Sequence, residues 1–198
     1  MKQVITILIS TIFALTSCKG NKKEDKNMDR DETFEISHTF QTDGKRAFEM
    51  WTDLVNFSRW LGPDGAEMAF LTANVREEGI SCWTMTTNDG MTKFGQINFK
   101  TIQPGHLLIY TQNFCDEDGN FIKAPFSATY PDSLLTTVNF TEKENTTEVN
   151  VKWEISGNAT EQEKQTFKGM KEVMKTGWSA SFQKLEILLR QTDDKSTK

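Results

Sequence analysis

Apolar and polar residues partly alternate over 33–41, with Phe34, Ile36, His38 and Phe40 on one face, which predicts a first β-strand covered on one side. The period then changes. Asp43 can cap a short helix whose apolar side is Ala47, Phe48, Met50 and Trp51, and a second short helix over 56–61 stops at Gly62-Pro63-Asp64-Gly65. Strand patterns follow at 67–75, 80–87, 92–103, 107–114, 133–142 and 148–155. Turn sequences such as Asn88-Asp89-Gly90, Gln103-Pro104-Gly105 and Asp116-Glu117-Asp118-Gly119 separate them, as an antiparallel meander requires. The last strand alternates most cleanly. There Val149, Val151, Trp153 and Ile155 are interleaved with Glu148, Asn150, Lys152 and Glu154, one dry face and one wet.

The final pattern is helical. Thr160-Glu161-Gln162-Glu163 is a capping box, in which hydroxyl and carboxylate each satisfy a free backbone amide, and it opens a long helix running to about residue 191. Phe167, Met170, Met174, Trp178, Phe182, Leu185 and Leu189 recur at three and four residues, so one stripe faces the sheet. Gly169 and Gly177 interrupt it. Each costs about 1 kcal/mol against alanine inside a helix, which implies close backbone approach or room left above the stripe.

One strand, two short helices, a curved antiparallel sheet and one long closing helix form an α+β order, that of a helix-grip fold. Specific residues strengthen the likeness. Trp60-Leu61-Gly62-Pro63-Asp64-Gly65, Arg76-Glu77-Glu78-Gly79, Asp89-Gly90, Gly95, Ile102-Gln103-Pro104 with 107–111, and Gly177-Trp178 with Leu185 and Leu189 resemble the START-like (SRPBCC) superfamily. Within it, the chain is similar to the branch related to the activator of the heat-shock protein 90 ATPase. Glu78 stands where that family often has glycine, and Thr101 where an acidic residue commonly precedes Ile-x-Pro. The resemblance implies a cavity between the sheet and the C-terminal helix.

The start of the chain supplies an address. The apolar run 4–15 would cover about 18 Å as a helix, short of the ~30 Å hydrocarbon core, so it reads as a cleaved export signal. It ends in Leu15-Thr16-Ser17-Cys18, which resembles a bacterial lipobox with Cys18 as the lipidation site. An ordinary secretory signal cleaved near Ala14 is the alternative. The expected organisation is a signal peptide at 1–17, a charged tether at 18–32, a START-like domain at 33–191 and a polar tail at 192–198. The localisation it implies is the bacterial cell envelope, with the membrane reached through the lipid on Cys18.

Composition removes several function classes. A formal charge of −5 leaves no basic excess for nucleic acid. No His-x-His, Cys-x-x-Cys or His-Glu-x-x-His spacing occurs, and neither a P-loop, a dinucleotide fingerprint nor Gly-x-Ser-x-Gly is present, so no metal or cofactor is expected. Beyond Cys18 there are Cys82 and Cys115, read as free, buried thiols because their strands are not adjacent. A bridge between them is the alternative in an oxidising compartment. Glu67, Asp89 and Glu154 sit at turn or wet-face positions, where a carboxylate is ordinarily solvated.

What remains is a large aromatic supply, with five Trp and fourteen Phe. Trp51 and Trp60 at the short helices, Trp83, Met85, Phe99, Tyr110, Phe114 and Trp153 on strands, and Met170, Met174 and Trp178 on the long helix would enclose one space. They form either a filled core or a pocket for an apolar ligand. The expected function is non-catalytic binding of a small hydrophobic molecule. One competing expectation is a cyclase- or dehydratase-like enzyme moving protons with His38, Tyr110 or Glu67. Another is a protein-interaction module related to heat-shock protein 90 ATPase activators, its protein partner unknown.

Overall fold

A computed structural model describes residues 32–196, with side chains described to 191; the signal, Cys18 and the tether lie outside the described residues. The chain runs β1 (Thr33–Phe40), α1 (Gly44–Thr52), α2 (Leu54–Trp60), β2 (Glu67–Thr72), β3 (Ile80–Thr86), β4 (Thr92–Gln103), β5 (Leu107–Cys115), β6 (Leu134–Lys143), β7 (Thr146–Ile155), α3 (Glu161–Gly169) and α4 (Lys171–Ser196). The seven strands form one sheet in the order β1-β7-β6-β5-β4-β3-β2, every neighbour antiparallel. The two short helices carry the chain from one edge strand to the other. This is the α+β helix-grip architecture.

Local chemistry explains the element ends. The Asp43 carboxylate accepts from Arg46 N at 2.7 Å and starts α1. Asp53 ends that helix and also caps the next, accepting from Val55 N and Asn56 N, so α2 begins two residues earlier than its apolar pattern predicts. Strand β2 is shorter than the predicted 67–75 because its pairing with β3 shifts between Phe70 and Thr72. In the loop that follows, Glu78 takes φ 59°, a conformation that favours glycine.

The closing helix departs from the sequence expectation in two ways. It is interrupted for one residue at Met170, directly after Gly169, one of the poorest helix formers. Its second segment continues to Ser196, taking in most of the tail predicted for 192–198. The capping box forms as predicted: Thr160 Oγ1 accepts from Glu163 N at 3.2 Å, and Glu163 Oε2 accepts from Thr160 N at 2.8 Å. Cys82 and Cys115 are free thiols on β3 and β5 with β4 between them; Cys115 is buried, but Cys82 is only half-buried, on the sheet face away from the helices.

Register places the inner-face residues in rows, because directly paired residues share a face. One row is Ser81, Ile97, Gln112, Leu134 and Ile155; the next is Phe99, Tyr110, Thr136, Trp153 and Phe34. A third is Trp83, Gly95 and Phe114. Helices α1, α2 and α4 cover this face, and the core lies between.

Candidate ligand cavity

The core is not filled throughout. Between the inner face of β3, β4, β5 and β7, the α4 stripe and the 116–133 loop lies a cavity of about 340 Å³. Trp83, Met85, Ile97, Tyr110, Phe114 and Trp153 line it from the sheet. Met170, Val173, Met174, Gly177, Trp178 and Ser181 line it from the helical side, and Leu61, Gly62, Pro63, Phe126, Tyr130 and Asp132 also stand in the wall, as do Phe57 and the polar residues Gln112 and Asn113. Its size is that of a small-molecule site.

Glycine makes room at two places for different reasons. At Gly177 a Cβ would meet no atom within 4 Å, so the α4 backbone here borders open space. At Gly95 a Cβ would come within 2.2 Å of Trp83 Cζ2, because the indole lies flat across the strand. Any larger residue at Gly95 would lift Trp83 off the sheet.

Polar groups at the cavity are few and mostly committed. Asp132 is the one charged residue in the wall among the described residues, and its carboxylate pairs with Lys123. Lys123 also donates to Glu163 Oε1 at 2.6 Å, tying the loop ahead of β6 to the start of α3. That ammonium, followed by the amide and hydroxyl of Thr160, holds the Glu163 carboxyl down at about 2. At the rim, Lys184 donates to the carbonyls of Gly62 and Pro63, and Ser181 Oγ bonds both backbone groups of Gly62. Burial lowers the Lys184 pKa.

Inside, burial pushes the Tyr110 and Tyr130 hydroxyls far above the ordinary phenol range, so both stay protonated. Trp153 Nε1 and Trp178 Nε1 are shut off from water without a hydrogen-bond partner among the described residues, as is Trp51 Nε1 in the filled core; Thr136 is hydrogen-bonded to the Tyr110 hydroxyl. The Trp153 and Trp178 rings stand edge to face, 5.6 Å between centroids.

Eight residues singled out from sequence stand in this wall: Trp83, Met85, Tyr110, Phe114, Trp153, Met170, Met174 and Trp178. Trp51, Trp60 and Phe99 do not. Trp51 and Trp60 are fully buried against each other, ring centroids 4.5 Å apart, and Trp60 Nε1 donates to Met50 O at 2.9 Å. Phe99 shares a row with the wall residues Tyr110 and Trp153 but packs on Tyr110 beside the β4 irregularity and is fully buried in the core. The wall residues missed were the loop aromatics Phe126 and Tyr130. Phe126 stacks on both Phe114 and Tyr130, but the irregular segment 116–133 has no periodicity from which to read a face.

The proton-moving trio does not assemble. Tyr110 reaches the cavity, but His38 sits on edge strand β1 against Phe40 and Phe182 with Glu186 at 3.9 Å, and Glu67 is exposed at the start of β2. Asp89 accepts from Thr87 Oγ1 and Met91 N within its own turn, and those bonds lower its pKa. Among the described residues, no three His, Cys, Asp or Glu side chains gather as metal ligands.

Residues 41–190 match the family described as Activator of Hsp90 ATPase homolog 1-like protein, and the chain belongs to that family. Similar solved structures include a Mycobacterium smegmatis protein, with TM-score 0.66 at 20% identity over 81% of this chain and 91% of that one. A protein from Arthrobacter aurescens is similar at 28% identity and TM-score 0.63, over 76% of this chain and 83% of its own. The AHSA1 protein from Silicibacter pomeroyi is similar at 15% identity and TM-score 0.62, covering 81% of this chain and 99% of that one. No protein of curated function matches this chain.

Proposed function

We propose that this protein binds a small hydrophobic molecule, without chemical turnover, in the cavity between sheet and C-terminal helix, and does so at the cell envelope, anchored through Cys18. The observation that carries the reading is the cavity itself: about 340 Å³, walled by indole, phenyl and thioether groups, with an α4 glycine bordering it. Methionines at 85, 170 and 174 suit a wall that adjusts to its occupant. An enzyme of the cyclase or dehydratase type would need a second proton-handling group beside Tyr110, and the other two candidates point elsewhere in the fold. The lipobox favours the envelope over the cytosolic co-chaperone role that the family description suggests.

Native mass spectrometry of protein purified from its own membrane fraction tests both halves, by reporting an acylated Cys18 peptide and a bound molecule. Gly177→Leu supplies the control. Its side chain enters the open space while raising helix propensity, so the variant is expected to stay folded and lose the bound mass. Protein that carries no molecule, and binds no apolar dye in a manner sensitive to Gly177→Leu, would end the binding proposal. An unacylated, cytosolic protein would end the envelope proposal.

A further inference from the structure

Nine large apolar side chains are exposed among the described residues, and they are unevenly placed. Because neighbouring strands are antiparallel, one end of the sheet gathers the starts of β1, β2, β4 and β6 and the ends of β3, β5 and β7. The cavity lies toward this end, taking Met85 from the end of β3, Phe114 from the end of β5 and Leu134 from the start of β6. Five of the nine belong here: Met91 in the turn between β3 and β4, Phe121, Ile122 and Phe126 in the loop after β5, and Val173 in the first turn of α4. Phe126 and Val173 line the cavity and are still 45% and 65% exposed, so its apolar wall continues through the mouth onto the surface. Exposed apolar groups standing singly mean little, but a group of them around an opening marks a surface that meets something apolar.

Where the chain enters the domain says what that is. β1 begins at this end beside the last residues of β7, and Glu32, just before it, bonds Lys164 on α3 at 3.0 Å. The neighbouring Glu163 holds Lys123, in the middle of the exposed segment from Phe121 to Phe126. Fourteen residues separate Glu32 from Cys18, a reach of at most about 50 Å, so a lipid on Cys18 brings its bilayer to this end. The opposite end lies a strand length away, about 30 Å for the ten residues of β7, and the tether would have to double back to serve it. Charge does not account for the cluster: Asp89 and Asp118 stand exposed in the same tips, and Lys123 is taken by Asp132 and Glu163. Resting on the envelope reading above, we infer that this end of the domain docks on the bilayer that holds the Cys18 lipid. Phe121, Ile122, Phe126 and Val173 enter the boundary between headgroups and acyl chains, and the cavity mouth faces the hydrocarbon. An apolar occupant can then pass from bilayer to cavity along apolar groups without crossing water.

Photo-crosslinking of the full, acylated chain in phosphatidylcholine vesicles tests this. Three variants each replace one exposed residue, Phe121, Phe126 or Ile187, with benzoylphenylalanine, which on illumination joins to C–H bonds in contact with it. Ile187 is the control, because it is as exposed as Phe121 but stands about 21 Å further along α4 than Val173. Mass spectrometry should find roughly tenfold more phospholipid adduct at 121 and 126 than at 187, since interfacial insertion reaches only about 5–10 Å. All three positions face solvent, and a melting curve matching the parent's checks that each variant is folded. Equal adduct at all three positions, or none at 121 and 126, would overturn the inference. Crosslinks at 121 and 126 that join two copies of the chain would overturn it as well, by making this end a protein interface. Membrane-purified protein without an acyl group on Cys18 would remove the envelope reading and this inference with it; acylated protein giving no lipid adduct would remove this inference alone.

Discussion

The two halves of the inner sheet face use the same aromatic residues to opposite ends. Under α1 and α2, Phe40, Phe48, Trp51, Trp60 and Phe140 interlock from both sides, with Trp51 at 4.5 Å from Trp60 and 5.4 Å from Phe140, and no residue among them more than 7% exposed. Under α3 and α4, Trp83, Phe114 and Trp153 face Met170, Met174 and Gly177, and a space remains. What separates core from cavity is therefore the partner across the gap. A bulky helix side chain fills the gap between helix and sheet; a glycine leaves it.

The sharpest way to break that comparison is to truncate one indole from each half. Trp60→Ala is expected to lose about 3–5 kcal/mol, because a fully buried ring leaves a void its neighbours cannot close. Trp83→Ala, which only enlarges an existing space, should lose no more than about 1–2 kcal/mol. Urea unfolding of the two variants side by side measures the difference, and equal losses would mean the open half is packed as tightly as the closed one.

Next comes Gly95→Ala. Its Cβ would strike the Trp83 indole, so a loss of about 1–3 kcal/mol is expected together with a changed Trp emission spectrum as the ring lifts into the cavity. Unchanged emission would show that the strand backbone, not Trp83, yields.

The loop closing the open half is held through Lys123, Asp132 and Glu163, and that link gives a pH signature. Glu163 has its pKa lowered from 4.5 to about 2, so its contribution is complete above pH 4.5 and fades as pH falls through about 2. Glu163→Gln should lower the melting temperature at pH 6 but converge on the parent near pH 2. Parallel melting curves across that range would show that the link does not hold the loop.

The smallest effect has the opposite sign. Gly177→Ala adds a methyl that meets nothing within 4 Å and should stabilise α4 by up to about 1 kcal/mol. A loss of stability there would mean that the space above α4 is narrower than it measures.

Strand and helix positions were readable because they rest on local periodicity and caps. Asp43, the Thr160–Glu163 box and the 148–155 alternation each stand where predicted. The site was readable only in part. Trp83, Phe114 and Trp153 are on the wall as expected from strand parity, yet the same parity put Phe99 beside them, whereas Phe99, at the register shift of β4, is enclosed in the core. Trp51 and Trp60 failed for another reason: helix periodicity says which face is apolar, not which part of the sheet receives it. Phe126 and Tyr130, lying in an irregular loop, carried no pattern at all.

By itself, then, the amino-acid sequence determined the elements, their antiparallel order, the family, and the acidic, metal-motif-free character of the domain, since each follows from neighbours within a few residues or from composition. Tertiary structure alone decided where the aromatics close and where they stop short. Residues as distant in sequence as Trp83, Trp153 and Gly177 must meet before a glycine becomes an opening, and the unpaired donors of Trp51, Trp153 and Trp178 exist only because folding removes water from each without supplying an acceptor.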